Sequence, residues 1–226
     1  MSNLGGESVA RRALTTTAAA FTATAALLLT ACGGGGDDTS PDDIKGADGA
    51  AKSPSASASG PAAADRPDVS VPKDLKLVFD FDKPSDAKHA AALADAENYI
   101  RALKHGIAEQ DANDPAYRFY SVAQATQYAK SQIETWVKGG YTVYGTDKYY
   151  DDEVTAMSDG KGAVVSFCRN QAKSYSKEIK SGKVHYTEEN PDSYQKFRLL
   201  MAPPSGDSKV WKAVTIEVIG KAKECQ

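Results

Sequence analysis

Cysteine is scarce in this chain, three in 226 residues, and no two stand in a CxxC spacing. That excludes a thioredoxin-type redox pair and a cysteine-clustered zinc site. An excess of positive charge is also missing, since 27 Lys and Arg face 30 Asp and Glu for a formal net charge of −3. A polybasic nucleic-acid binder is thereby excluded. Hydrophobic residues make up 41% of the chain, and no uninterrupted apolar run reaches the ~20 residues of a membrane span. A multi-span membrane protein is excluded with it. Aromatic rings are absent from residues 33–72, because every Tyr and Trp lies beyond that stretch and Phe21 is the one Phe before it. A segment without rings buries too little apolar area to offset the cost of ordering it, so 33–72 is expected to be disordered.

What is present at the amino terminus is an export pattern. Arg11 and Arg12 close a short polar region, Ala13–Leu29 is apolar with five Thr, and Leu29-Thr30-Ala31-Cys32 follows directly. The tetrapeptide resembles the lipobox of bacterial lipoproteins, in which the cysteine thiol is acylated and becomes the first residue of the mature chain. The resemblance implies a signal peptide over 1–31, palmitate-type lipid on Cys32, and anchoring to the outer face of the cell membrane. Arg11-Arg12 leaves both the general and the twin-arginine export routes open. Residues 32–72 then read as a lipidated cysteine and a Gly/Ala/Ser/Pro/Asp linker. A 40-residue flexible coil of this kind has an r.m.s. reach of roughly 35 Å.

Three cysteines in an exported protein leave one thiol unpaired. With Cys32 acylated, Cys168 and Cys225 remain as an even pair in an oxidising compartment, and a disulfide between them is expected. It would close a separation of 57 residues, and the chain-entropy account values that at about 4 kcal/mol before any strain.

The rest, 73–226, is electrically neutral with 22 basic and 22 acidic residues. Leu75–Phe81 reads as a short strand, and Ser85 as a helix cap. Leu93, Ala96, Ile100, Leu103 and Ile107 recur every three or four positions, the apolar face of a helix. Asp114-Pro115 starts a second helical segment in which Ala125, Ala129, Ile133 and Trp136 share a face, and Gly139-Gly140 ends it. After Gly140 the period changes from 3.6 to 2. Strands are expected over Tyr141–Met157 (one or two), Gly162–Tyr175, Tyr194–Met201 and Lys209–Ile219, with Trp211 opposite the apolar face of the last. Short polar links between these runs demand antiparallel pairing. The fold class is α+β, amino-terminal helices on a curved antiparallel sheet in one domain.

A helix ending near Ile107, a turn at Asp114-Pro115, a Trp-bearing helix ending in Gly139-Gly140 and long strands with Trp211 in the last together resemble the nuclear transport factor 2-like cone found in many envelope lipoproteins of actinobacteria. The resemblance covers about Asp86–Cys225. It implies a curved sheet wrapped around a long helix with a pocket or groove at the mouth, and it implies no particular activity, since relatives include isomerases, dehydratases, binding modules and accessory domains.

The residues that carry chemistry give no catalytic set. Leu77–Asp82 looks like the strand-end DxD of haloacid-dehalogenase-type phosphotransferases, but Lys83-Pro84-Ser85 and the missing strand–helix alternation read instead as a solvated acidic turn. His89 and His105 lie on the first helix beside Lys88 and Lys104, with no evident carboxylate partner, and no metal-ligand spacing includes them or His185. Asp147, Asp151, Asp152 and Glu153 flank Tyr149-Tyr150, either a cation or carbohydrate site or a strand end with solvated acids. Lys173, Lys177, Lys180 and Lys183 with His185 form a basic hairpin, a contact for anionic polymers or a guard against edge aggregation. Tyr99, Tyr128, Trp136, Tyr194 and Trp211 are the candidate lining of a pocket. The expectation is a membrane-anchored extracytoplasmic module, a monomer or weak dimer without cofactor, metal or nucleic acid, that binds a small ligand or an envelope protein. The alternatives are a structural domain docking on another envelope protein, and a small hydrolase or isomerase with a pocket carboxylate.

Overall fold

The computed structural model describes residues 66–226. The expected signal peptide over 1–31, Cys32 and the linker up to residue 65 lie outside the described residues. Strand β1 (Leu75–Asp80) is followed by helices α1 (Ala87–Ala108), α2 (Pro115–Phe119) and α3 (Ala123–Gly139), then by strands β2 (Tyr141–Ala156), β3 (Ala163–Glu178), β4 (Val184–His185), β5 (Tyr194–Ala202) and β6 (Lys212–Gly220). The class is α+β, with helices and a six-stranded mixed sheet in the order β1-β2-β3-β5-β6, and β4 paired to β3. No helix of the described residues is long and apolar enough to cross a membrane.

Local chemistry sets the helix ends. Asp86, one residue beyond the expected Ser85, accepts from the Lys88 and His89 amides at 2.9 Å and caps α1. Asp114 accepts from the Ala116 amide at 2.6 Å, with Pro115 at the first helical position of α2, where its missing N–H costs nothing. Gly140 ends α3 in the left-handed region, φ 73°. The apolar stripes are where periodicity put them: Leu93, Ala96, Ile100, Leu103 and Ile107 of α1 and Ala125, Ala129 and Ile133 of α3 are buried.

Two expectations are corrected. The sheet is not wholly antiparallel: β1 pairs parallel to β2, Leu75 opposite Gly145 through Asp80 opposite Tyr150. Three helices lie between those strands, long enough for the crossover that a parallel pair requires. Trp211 precedes β6 and is buried, its backbone N–H donating to Asp95 Oδ2 at 2.9 Å. An extra residue in β6, between its pairings with Leu200 and Met201, breaks the strict alternation on which the opposite expectation rested.

The packed unit also starts before residue 73. Val69 and Val71 pack on the core, and Arg66 Nη1 lies 2.5 Å from Asp95 Oδ1. The His105 Nδ1–H donates to the Ser70 carbonyl at 2.6 Å. Residues 66–72 are therefore a strap on α1 rather than free linker.

Bulges in β2 and β3 keep the sheet faces consistent over their 16-residue lengths. Gly145 at φ 98° is the tight point, because a Cβ there would lie 2.2 Å from the Lys173 carbonyl oxygen. At the β6 edge, Ala213 exchanges backbone bonds with Tyr120 and Val122 at 2.9 and 2.8 Å. The Gln124 side-chain oxygen then accepts from the Ile216 amide at 2.8 Å, an amide standing in for the next strand.

Candidate functional site

Because strand side chains alternate, the sheet presents one face to α1 and α3 and one away from them. Val143, Asp147 and Tyr149 of β2 point inward and are buried. Tyr144, Lys148 and Tyr150 point outward. The acidic stretch around Tyr149-Tyr150 is thus split between two environments.

On the inner face, Asp147 sits between two cations. Arg169 of β3 reaches Oδ1 through Nε at 2.9 Å and Nη2 at 2.6 Å, and Lys104 of α1 reaches Oδ2 at 2.7 Å. Gln195 of β5 accepts from Arg169 Nη1 at 2.9 Å. Burial pushes the Asp147 carboxyl up, but the charges of Arg169 and Lys104 and their hydrogen bonds outweigh it and hold it at about 2. Burial draws Lys104 down to about 8, helped by the like charge of Arg169 and opposed by Asp147. Burial pushes the Tyr99 and Tyr149 phenols well above their ordinary value. This arrangement holds α1 to the middle of the sheet.

On the outer face, an open groove of about 590 Å³ runs across the end of β1 and the bulge of β2 between Tyr150 and Glu153. It joins Asp80 and Asp82, the acidic pair after β1, to Asp151, Asp152 and Glu153, with Lys148, Tyr150 and Lys196 completing the lining. The parallel pairing of β1 with β2 is what brings the two acidic motifs together. The Asp82 amide donates to Asp152 Oδ1 at 2.8 Å, and Lys148 Nζ lies 3.1 Å from Asp80 Oδ2. Partial burial, with the charges of Asp82 and Asp151, raises the Asp152 carboxyl. Among the described residues, no three His, Cys, Asp or Glu are grouped so as to hold a metal ion.

One wall of this face is tied down by the expected cysteine pair. Cys168 of β3 and Cys225 near the carboxyl terminus form a disulfide with Cα atoms 5.5 Å apart. Both are buried, with Ala222, Tyr150 and Tyr194 packed around them. The Tyr150 hydroxyl donates to the Cys225 carbonyl, so a groove residue and the stapled tail hold each other.

The five aromatics named as a candidate lining are dispersed. Tyr99 is fully buried and donates its hydroxyl to the Ala125 carbonyl at 2.6 Å, a core contact between α1 and α3. Tyr128 and Trp136 are partly buried on α3. Tyr194 lies beside the disulfide with its hydroxyl on Glu189, and Trp211 is the partner of Asp95. Two of the three histidines do have carboxylate neighbours: His105 Nε2 is 3.4 Å from Asp114 Oδ2, and His185 Nε2 is 2.7 Å from Glu178 Oε1. Asp114 is six positions beyond the end of α1, out of reach of any helical-spacing argument.

A second outward feature is a row of tyrosines at the far end of β2. Tyr144 of β2 is the register partner of Tyr175 of β3. The Tyr186 ring, just past β4, is 4.8 Å from that of Tyr175. Sequence reasoning passed over this row, although Tyr175, Lys173 and Lys177 at intervals of two were its signal.

No family model matches this chain, and no curated protein does. Among solved structures, the intermembrane space region of the chloroplast protein ARC6 is similar at 13% identity, covering 57% of this chain and 96% of that one with a TM-score of 0.34, a level that carries no argument about fold or function.

Proposed function

We propose that this protein is an extracytoplasmic lipoprotein, anchored by lipid on Cys32 at the outer face of the cell membrane, whose domain binds a ligand or an envelope protein without transforming it. The observation that carries the binding role is the helix-free face of the sheet. It bears an open groove and a tyrosine row, while the other face is occupied by the helices and the buried cluster of Asp147, Lys104 and Arg169. The address draws support from the Cys168–Cys225 bond, which leaves Cys32 as the one cysteine outside the pair. Helices packed on one side of a sheet with long bulged strands suit the nuclear transport factor 2-like reading of the fold. The structural reading, docking on another envelope protein, uses the same outer face, where Val78 and Ile219 are exposed.

The test is made in intact cells. Fractionation should place the full chain with membranes, an amine-reactive cross-linker should trap a discrete adduct there, and Cys32→Ser should abolish both. A reduced chain resident in the cytosol would overturn the proposal.

A further inference from the structure

The tyrosine row and the lysines around it fit a specific class of ligand. Tyr144, Tyr175 and Tyr186 come from three adjacent strands or their ends, on the face away from the helices. Tyr186 is 68% exposed, and Ile179 nearby is 48% exposed. A merely solvated face would carry polar side chains, whereas here exposed Tyr186 stands edge to face against half-buried Tyr175. Lys177 Nζ lies 5.8 Å from the Tyr144 ring centre and 2.7 Å from Asp74 Oδ2, and Glu178 is taken by His185. Once those pairs are set aside, Lys173, Lys180 and Lys183 have no carboxylate within ion-pair distance among the described residues, and all three are exposed.

We propose that this end of the sheet is a docking platform for an anionic polysaccharide, with Tyr186 and Tyr175 stacking on sugar rings and Lys173, Lys180 and Lys183 meeting the negative groups. Sugar rings present apolar C–H faces that suit aromatic rings, and they need no deep cavity. A protein partner would be expected to anchor through a well-packed, desolvated pocket, whereas Tyr186 stands out in solvent. Unpaired lysines select against neutral glycans by charge complementarity. The proposal rests on the reading of the outer face as the contact surface and adds a ligand class to it. It does not depend on the anchor.

The full chain, purified in detergent, is titrated with polygalacturonate, with uncharged dextran and with inorganic polyphosphate, a polyanion without rings. Polygalacturonate should bind, and dextran should bind at least roughly tenfold more weakly. Tyr186→Ala should weaken polygalacturonate roughly tenfold, the scale of one lost ring contact, with Tyr186→Phe retaining binding and polyphosphate unaffected by either change. Lys180→Ser with Lys183→Ser should weaken both polyanions. All these positions are at the surface, and an unchanged melting temperature checks that each variant folds. The proposal is overturned if polygalacturonate does not bind, if Tyr186→Ala leaves its affinity unchanged, or if dextran matches it. Failure here with an outer-face cross-link still found in cells would remove the saccharide and leave the binding module.

Discussion

Lys104 and Lys148 are both lysines held beside an aspartate, at 2.7 and 3.1 Å, yet they do different work. Lys104 and Asp147 are 7% and 0% exposed on the inner face, and Lys148 and Asp80 are 49% and 68% exposed on the outer face. Inside, little solvent shares the field, so each ion depends on its partners and removing one strands the others. Outside, water screens the pair and its net contribution is small. The same residue types therefore give rigidity on one side of the sheet and an exchangeable surface on the other.

The largest expected effect separates the two faces. Asp147→Asn leaves Lys104 and Arg169 buried without their counter-charge and should cost about 3–5 kcal/mol, whereas Asp80→Asn should stay within about 0.5 kcal/mol. Urea unfolding of both variants reads the difference, and equal midpoints would remove the distinction. Next comes the staple. Replacing Cys168 and Cys225 by Ser should cost about 2–4 kcal/mol, and hydrogen exchange should rise at Ala222–Cys225 and around Tyr150 while α1 remains protected.

The dependence on pH sharpens the comparison. The folded Asp147 value, about 2, is below the ordinary one, so its stabilisation is present above about pH 4 and is lost as pH falls toward 2. The folded Lys104 value, about 8, is also below the ordinary one. Between pH 8 and 10.5 the unfolded chain holds this proton and the folded chain does not, so Lys104 makes stability rise with pH across that window. Lys104→Met should abolish that rise and cost about 3 kcal/mol at pH 7, because buried Asp147 Oδ2 loses its partner while Oδ1 keeps Arg169. An alkaline rise that persists in Lys104→Met would assign it elsewhere.

Among the changes that touch a buried ion, the smallest expected effect concerns the strap. Arg66→Ala removes one partner of buried Asp95 but leaves it the Trp211 amide. A cost of about 1–2 kcal/mol is expected, below that of an enclosed pair because a third of Arg66 stays in solvent. A melting curve unchanged from the parent would return residues 66–72 to the linker.

Local signals were legible in the sequence and long-range ones were not. The apolar stripes of α1 and α3, the Asp114-Pro115 start and the glycine stop need only spacing, and the cysteine pair needs only parity, whereas the α1 cap fell on Asp86 and not on Ser85. Lys104 stands four positions after Ile100 on α1, so its inward place was available from the same spacing, yet a lysine without a visible counter-ion gives no reason to bury it. Its partners Asp147 and Arg169 are 43 and 65 positions away and meet it only through the sheet register. The groove depends on β1 joining β2 in parallel, which no local pattern announces. Bulges in β2, β3 and β6 each reset the alternation, so a period-two reading carried through Trp211 lands on the wrong side. The tyrosine row needed three strands in register before Tyr144, Tyr175 and Tyr186 became neighbours.

The division of labour between the faces is tested most directly by placing a photo-cross-linking amino acid, in intact cells, at Val78, Tyr186 and Arg198 on the outer face and at Lys130, Glu134 and Lys138 on α3. The account predicts adducts from the outer-face positions and none above background from α3. Adducts confined to the α3 positions would contradict it.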